Sequence, residues 1–319
     1  FPSIYADSFT FEKKVFEMLP KLQTNDLIYI CSPAKGIEVE HVHFAKEFFI
    51  QNGYRVEIAT HALGSNGYFS GTIEERLTDF QVGLNHPEAK VILCARGGYG
   101  CMQIMDKLDW SSFENNPKHL IGFSDVTAFH LMLAQKNIPS LHATMPLNFK
   151  GNTPESLRSL LYVLKGTPAS ISAQNSPFNQ SGAACGKVIG GNLAMVHALL
   201  PRMKKEDFSD KILFLEDVGE HLYQIDRMLY GLAYSGALDE ISGLILGGFT
   251  SVSDTDSPFG KSLEEIILAH VLHRKIPVAF GFPCGHQNDN QTLILGDKSN
   301  LTVNLSGSKL IQSFLENPT

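Results

Sequence analysis

Short apolar runs separated by helix-length amphipathic segments constrain this chain more than any other feature. Leu27–Cys31 (LIYIC) reads as a buried strand and ends at the turn Ser32-Pro33-Ala34. Val39–Gln51 places Val42, Ala45, Phe48 and Phe49 at helical spacing, and Asn52-Gly53 stops it. A second strand follows at 55–59, and an amphipathic helix at 73–84 with Leu77 and Phe80 on one face. A third apolar run at 91–95 leads directly into Arg96-Gly97-Gly98-Tyr99-Gly100. A fourth at 119–123 turns into a helix over about 126–136. Such alternation predicts a parallel sheet with crossover helices, an α/β architecture.

The pattern breaks near 148–185. A helix opens after Gly151-Asn152-Thr153-Pro154 and runs to Leu164, and a Ser/Asn/Gln-rich stretch reads as linker up to Gly182. Strands then return at 185–189, 212–215, 243–246 and 277–281, with helices near 192–200, 224–235 and 262–272. We therefore expect one domain over 1–150, a linker over 151–184 and a second, smaller domain over 185–319. The chain of 319 residues is long enough for two cores without disulfide or metal staples.

Composition narrows the function classes. Charged residues are only 18% and hydrophobic ones 43%, which argues against disorder. The net charge is −7 with no dense Lys/Arg run, so no nucleic-acid partner is expected. No apolar run approaches the ~18 residues of a membrane span. The stretch 1–19 carries Asp7, Glu12, Lys13, Lys14 and Glu17 and shows no secretory leader, so a cytoplasmic location is expected. The five cysteines are odd in number and form no CxxC, which fits reduced, mostly buried thiols. His41-x-His43 and His270-x-x-His273 lack a ligand set around them, and no metal or other cofactor is expected.

Open α/β sheets bind ligands beyond the carboxyl ends of their strands. There the sequence places Ser124 after the fourth strand, Glu216-Asp217 after 212–215, and Pro283-Cys284-Gly285-His286 after 277–281. A serine, a carboxylate and a histidine are the parts of a nucleophile–base–orienter relay. Ser124 lies where a strand turns straight into a helix, so the amide of Asp125 would face a developing oxyanion. Gly98 offers a second amide from the neighbouring loop. On spacing alone, Ser124 or Asp125 also reads as a plain helix N-cap. His286 also reads as a surface-loop histidine, and Glu216 as a strand-end charge. Glu220, Asp226 and Arg227 read as a solvated or salt-bridged face. The turn is not G-x-S-x-G, because Val126 holds the last position.

Together these segments resemble the LD-carboxypeptidase family of serine peptidases, which includes murein tetrapeptide carboxypeptidases and microcin C self-immunity proteins. The resemblance is carried by Ala95 to Gly100, Gly122 to Ala128, Gly190-Gly191-Asn192-Leu193, Leu213 to Glu220, Asp226-Arg227-Met228-Leu229 and Gly285-His286. It implies a flavodoxin-like N-terminal domain, a smaller C-terminal α/β domain and an active site at their interface. It also implies a Ser124–His286–Glu216 triad and an oxyanion hole from the amides of Gly98 and Asp125. The implied substrate is a muropeptide ending in D-alanine after an L-configured centre, and the implied assembly is a homodimer. Arg96 is the candidate to meet the substrate carboxylate, with Gly97 and Tyr99 beside it. Two positions depart from the family pattern: Ile294 replaces a proline, and His142-Ala143-Thr144-Met145 replaces a His-Gly-Pro-Met-like stretch. The alternatives are a triad that cleaves a peptidyl-nucleotide of the microcin C type, and a two-domain ligand binder without catalysis.

Overall fold

A computed structural model describes residues 19–312. The stretch read for a leader lies outside the described residues up to Met18. In chain order the elements begin with β1 (Leu27–Cys31), α1 (Val39–Gln51), β2 (Arg55–Ile58), α2 (Ile73–Asn85) and β3 (Ala89–Cys94). They continue with α3 (Cys101–Ile104), α4 (Ser111–Asn115), β4 (His119–Gly122), α5 (Thr127–Gln135) and β5 (Ser140–His142). Next come α6 (Pro154–Leu164), β6 (Ala169–Ala173), β7 (Gly182–Asn192), α7 (Leu193–Leu199) and β8 (Ile212–Val218). Then follow α8 (Leu222–Tyr234), α9 (Ala237–Glu240), β9 (Gly243–Thr250) and α10 (Leu263–Val271). The chain ends in β10 (Val278–Ala279), β11 (Leu293–Leu295), β12 (Lys298–Asn304) and β13 (Gly307–Gln312). No helix among the described residues is long and apolar enough to cross a membrane.

The strands form two sheets. In the first, the order β2-β1-β3-β4-β5 is parallel throughout, the flavodoxin-like order. Alternate residues of its strands serve opposite faces. Ile28, Ile30, Val91 and Leu93 pack with α1 and α6 through Val42, Phe49, Leu160 and Leu164. Tyr29, Ile92 and Leu120 face α2 and α5 through Phe80, Leu84 and Phe129. With both faces covered, these strands must be continuous apolar runs, which is why they are legible in the sequence. The helices start where the side chains cap them. Thr72 and Glu75 form a reciprocal capping box on α2, and Thr153 caps α6 with Pro154 at its first position.

In the second sheet the order is β10-β9-β8-β7-β12-β13-β6. β7 to β10 run parallel, and β12, β13 and β6 add antiparallel strands on the other side of β7. Two strands depart from the expected organisation. β6 lies inside the stretch read as linker and pairs with β13. β11 returns from the C-terminal half to pair antiparallel with β5 at the edge of the first sheet. The two halves also share one apolar cluster, which runs from Phe80 and Phe129 to Leu213, Leu229 and Ile266.

Candidate active site

The order of the first sheet reverses between β1 and β3, so a crevice opens beyond their carboxyl ends. Loop 32–36 after β1 and loop 95–100 after β3 flank it, and Ser124 follows β4 next to them. Ser124 has φ 63°, left-handed backbone that a non-glycine residue rarely adopts. Extended Phe123 before it and a short 3₁₀ turn after it make the sharp strand-to-helix bend anticipated from the sequence. Gly97 faces this bend. A Cβ on Gly97 would lie 3.1 Å from Ser124 Oγ and 3.2 Å from the Asp125 amide nitrogen. Any side chain there would fill the space in front of both groups, so glycine keeps it open.

The Asp125 carboxylate does not enter this space. It is buried and accepts a hydrogen bond from the Cys101 amide at 2.8 Å, capping α3. Burial raises its pKa, opposed by the Cys101 hydrogen bonds and the charge of Arg76. Its backbone nitrogen, by contrast, lies beside the Gly97 position. A Cβ on Gly98, at φ 104°, would stand 2.9 Å from Lys35 Cβ and 3.0 Å from the Tyr68 hydroxyl. Arg96 is half-buried and donates from one guanidinium nitrogen to the Gly36 carbonyl at 2.9 Å. Tyr99 is 47% exposed, its ring 6.1 Å from that of Phe69 on the rim.

The carboxylate and histidine arrive from the second sheet. Glu216 sits near the carboxyl end of β8 with its side chain fully buried. His286 Nδ1 lies 2.6 Å from Glu216 Oε2, and the His286 amide donates to the same oxygen at 3.1 Å. Gly285, at φ 102°, permits this approach, because a Cβ on it would stand 2.6 Å from Glu216 Oε2. The His286 ring packs edge-on against Phe123, the residue before Ser124, at 4.8 Å between centroids. That contact brings the imidazole against the residue that precedes Ser124.

Burial by itself would raise the Glu216 pKa, but the facing imidazoles of His142 and His286 outweigh it and hold it at about 2. Burial likewise pushes His286 down. The hydrogen bond and charge of Glu216, helped by Asp217, overcome this and raise it above its ordinary value. Asp217 points away, accepting from Asn192 at 2.7 Å and from the Ala194 amide at 3.0 Å, and burial raises it to about 6.

The loop carrying His286 is clamped from the first half. Asn152 donates to the Asn288 carbonyl, Thr153 Oγ1 bonds Asp289, and Ser156 Oγ donates to the Asn290 carbonyl. Asn290 in turn accepts from the Gly285 amide at 2.8 Å.

Two residues near the site escaped the sequence reading. Arg76 is 2% exposed and bonds the carbonyls of Gly71, Pro33 and Gly100, tying three loops together. Its signal was present: it shares the apolar face of α2 with Leu77 and Phe80. His142, noted only as part of a motif, ends β5 beside Glu216. The weaker candidates are engaged elsewhere. Asp226 pairs with His270 at 2.9 Å, and Arg227 lies over the Tyr223 ring. No cluster of three or more His, Cys, Asp or Glu among the described residues could hold a metal ion.

Residues 28–143 match the model of the LD-carboxypeptidase N-terminal domain, and residues 185–301 that of the LD-carboxypeptidase C-terminal domain. The chain belongs to the LD-carboxypeptidase family. It is accordingly a hydrolase of the peptidase type. Among its relatives is the murein tetrapeptide carboxypeptidase of Pseudomonas aeruginosa, 27% identical over 295 residues, covering 89% of this chain and 94% of that one. Another is the microcin C7 self-immunity protein of Escherichia coli, 27% identical, covering 84% of this chain and 87% of that one. The crystal structure of muramoyltetrapeptide carboxypeptidase from Oxalobacter formigenes superposes with a TM-score of 0.80 at 27% identity, over 89% of this chain and 99% of that one.

Proposed function

We propose that this member of the family is a serine LD-carboxypeptidase that releases the terminal D-amino acid of a murein tetrapeptide. The observation that carries the reading is the Glu216–His286 hydrogen bond, whose imidazole packs on Phe123, the residue before Ser124 in left-handed backbone. His286 Nδ1 donates to Glu216, which leaves Nε2 unprotonated and able to take the Ser124 proton. Ser124 Oγ attacks the scissile carbonyl, and the amides of Asp125 and Gly98 receive the oxyanion. Glu216 stabilises the imidazolium. His286 then protonates the leaving amine, and water resolves the acyl-enzyme. Arg96, Gly97 and Tyr99 would border the substrate, with Arg96 the candidate to meet its carboxylate. A cytoplasmic homodimer belongs to the same reading through the family resemblance.

A peptidyl-nucleotide substrate would need an aromatic surface to stack the base. The sole tryptophan, Trp110, is 6% exposed and packed among Phe80, Phe113 and Phe129, so that stacking would fall to tyrosines such as Tyr68 and Tyr99, 46% and 47% exposed.

The test is D-alanine release from a defined muropeptide panel, followed by mass spectrometry. Ser124→Ala should lower kcat by at least about 10³-fold with the fold retained. Undiminished turnover by that variant would overturn the assignment. A wild-type protein that binds the tetrapeptide without cleaving it would support the ligand binder instead.

A further inference from the structure

Glu216 has two faces, and the relay uses only one. Oε2 receives both the ring nitrogen and the amide of His286. Oε1 is buried with no hydrogen-bond partner, although a buried carboxylate oxygen is costly unless something donates to it. The group facing it is His142, whose Nε2 lies 3.8 Å away, just beyond hydrogen-bond length. His142 is fully buried, and neither of its ring nitrogens has a hydrogen-bond partner. Its ring is wedged between Phe123 at 5.6 Å and Phe214 at 4.9 Å, so it has no other polar direction to turn to. Two orphaned buried groups of complementary chemistry thus face each other across the boundary between the halves, one on β5 and one on β8.

We propose that His142 is a positioning residue for the relay: its Nε2–H serves Oε1 of Glu216 and sets the hold of that carboxylate on His286. The inference rests on the Ser124–His286–Glu216 reading and extends it to a fourth member. A donor on Oε1 draws charge away from Oε2. Without it, the Glu216–His286 pair binds its proton more tightly. The titratable groups facing His142 are few. His130 of α5 lies 6.4 Å away between ring centroids, bonded to Ser140 and the Gly122 carbonyl. Burial depresses His130 to about 3, so it stays neutral near neutrality. Glu216 faces His142 from β8 with His286 beyond it, and the residue paired with His142 on β11 is Leu293.

The experiment compares His142→Phe, which fills the same aromatic slot without a donor, with His142→Gln, whose amide nitrogen replaces Nε2. The Phe variant should lower kcat about 10- to 100-fold with KM within about twofold, as loss of an outer-shell orienting group does. The acid limb of its kcat/KM profile should move up by about half a pH unit or more. The Gln variant should keep kcat within about threefold and the limb in place. A Phe variant with wild-type kcat and pH profile overturns the inference, and so does an equal loss in both variants. Nitrogen NMR of wild-type protein tests it without a substitution: Nε2 of His142 must carry a proton, and an unprotonated Nε2 overturns it. Ser124→Ala is assayed alongside. Activity surviving in Ser124→Ala overturns the relay itself, whereas a dead Ser124→Ala with an unaffected His142→Phe overturns only the role of His142.

Discussion

At the residue scale, the site depends on conformations and ionisations that ordinary side chains resist. Ser124 sits at φ 63°, and a non-glycine residue there stores about 1–3 kcal/mol of strain. The fully buried strand before it and the buried helix after it hold that bend in place. Glu216 and His286 shift in opposite directions, which has consequences for pH. The carboxylate is lowered to about 2, so its stabilising contribution is present above its ordinary value near 4.5 and is lost as pH falls from there towards 2. The histidine is raised above 6.5, so its contribution to folding is fully present below 6.5 and is lost as pH rises through its folded value. Catalysis runs the other way, since only neutral His286 can accept the serine proton. The acid limb of kcat/KM should therefore have its midpoint above pH 6.5, and Glu216→Gln should shift it downward by removing the charge that raises it. A wild-type midpoint below 6.5 would contradict the pairing of these two side chains in solution.

At the element scale, loops rather than strands need explanation. Arg76 projects from α2 into the meeting point of three loops and gives its hydrogen bonds to backbone carbonyls and to Gln103. One of these carbonyls belongs to Gly100, at the end of the segment that carries Gly97 and Gly98. Arg76→Met keeps the length and apolar stem of the side chain but orphans those buried acceptors, each worth about 1–3 kcal/mol. We expect a clearly lowered melting temperature and, in the fraction that stays folded, a reduced kcat as the 97–100 segment loosens. A melt and kinetics equal to wild type would show that water replaces the guanidinium. The C-terminal strands β12 and β13 escape a reading by apolar runs for a related reason. β12 buries only alternate residues and β13 does so from Ser308 onward, and among those are Ser299, Ser308 and Gln312. Their polar atoms are satisfied by neighbours on both sides: the Gln312 amide nitrogen donates to the Ile294 carbonyl of β11 and to Ser299 Oγ, and the Asn179 amide nitrogen donates to Ser308 Oγ.

At the scale of the whole molecule, one apolar cluster crosses both halves, β11 completes the first sheet from the C-terminal side, and the N-terminus of α6 grips the His286 loop. Such coupling favours unfolding as one unit. Trp110 is the sole tryptophan and lies in the first half, so its fluorescence reports that half while far-ultraviolet circular dichroism reports both. The two urea transitions should coincide. Separated midpoints would mean that the halves unfold independently and that the shared cluster contributes little.

The parallel strands, their crossover helices and the turn of Ser124 after its strand were legible in the linear chain, whereas Glu216 lies within β8 and His286 in a loop well beyond the end of β10. Buried parallel strands must be apolar along their whole length, and ligand chemistry gathers where they end. The sequence by itself therefore determined the architecture and the residue types available for chemistry. Only the tertiary structure decided which groups meet. It brought Glu216 within 2.6 Å of His286, turned the Asp125 carboxylate away from the crevice, and set His142 opposite the remaining oxygen of Glu216. The physical reason is that the contacts of Glu216 with His286 and with His142 bridge 70 and 74 residues of chain. No local spacing encodes them, and they follow from how two sheets pack and close over one buried carboxylate.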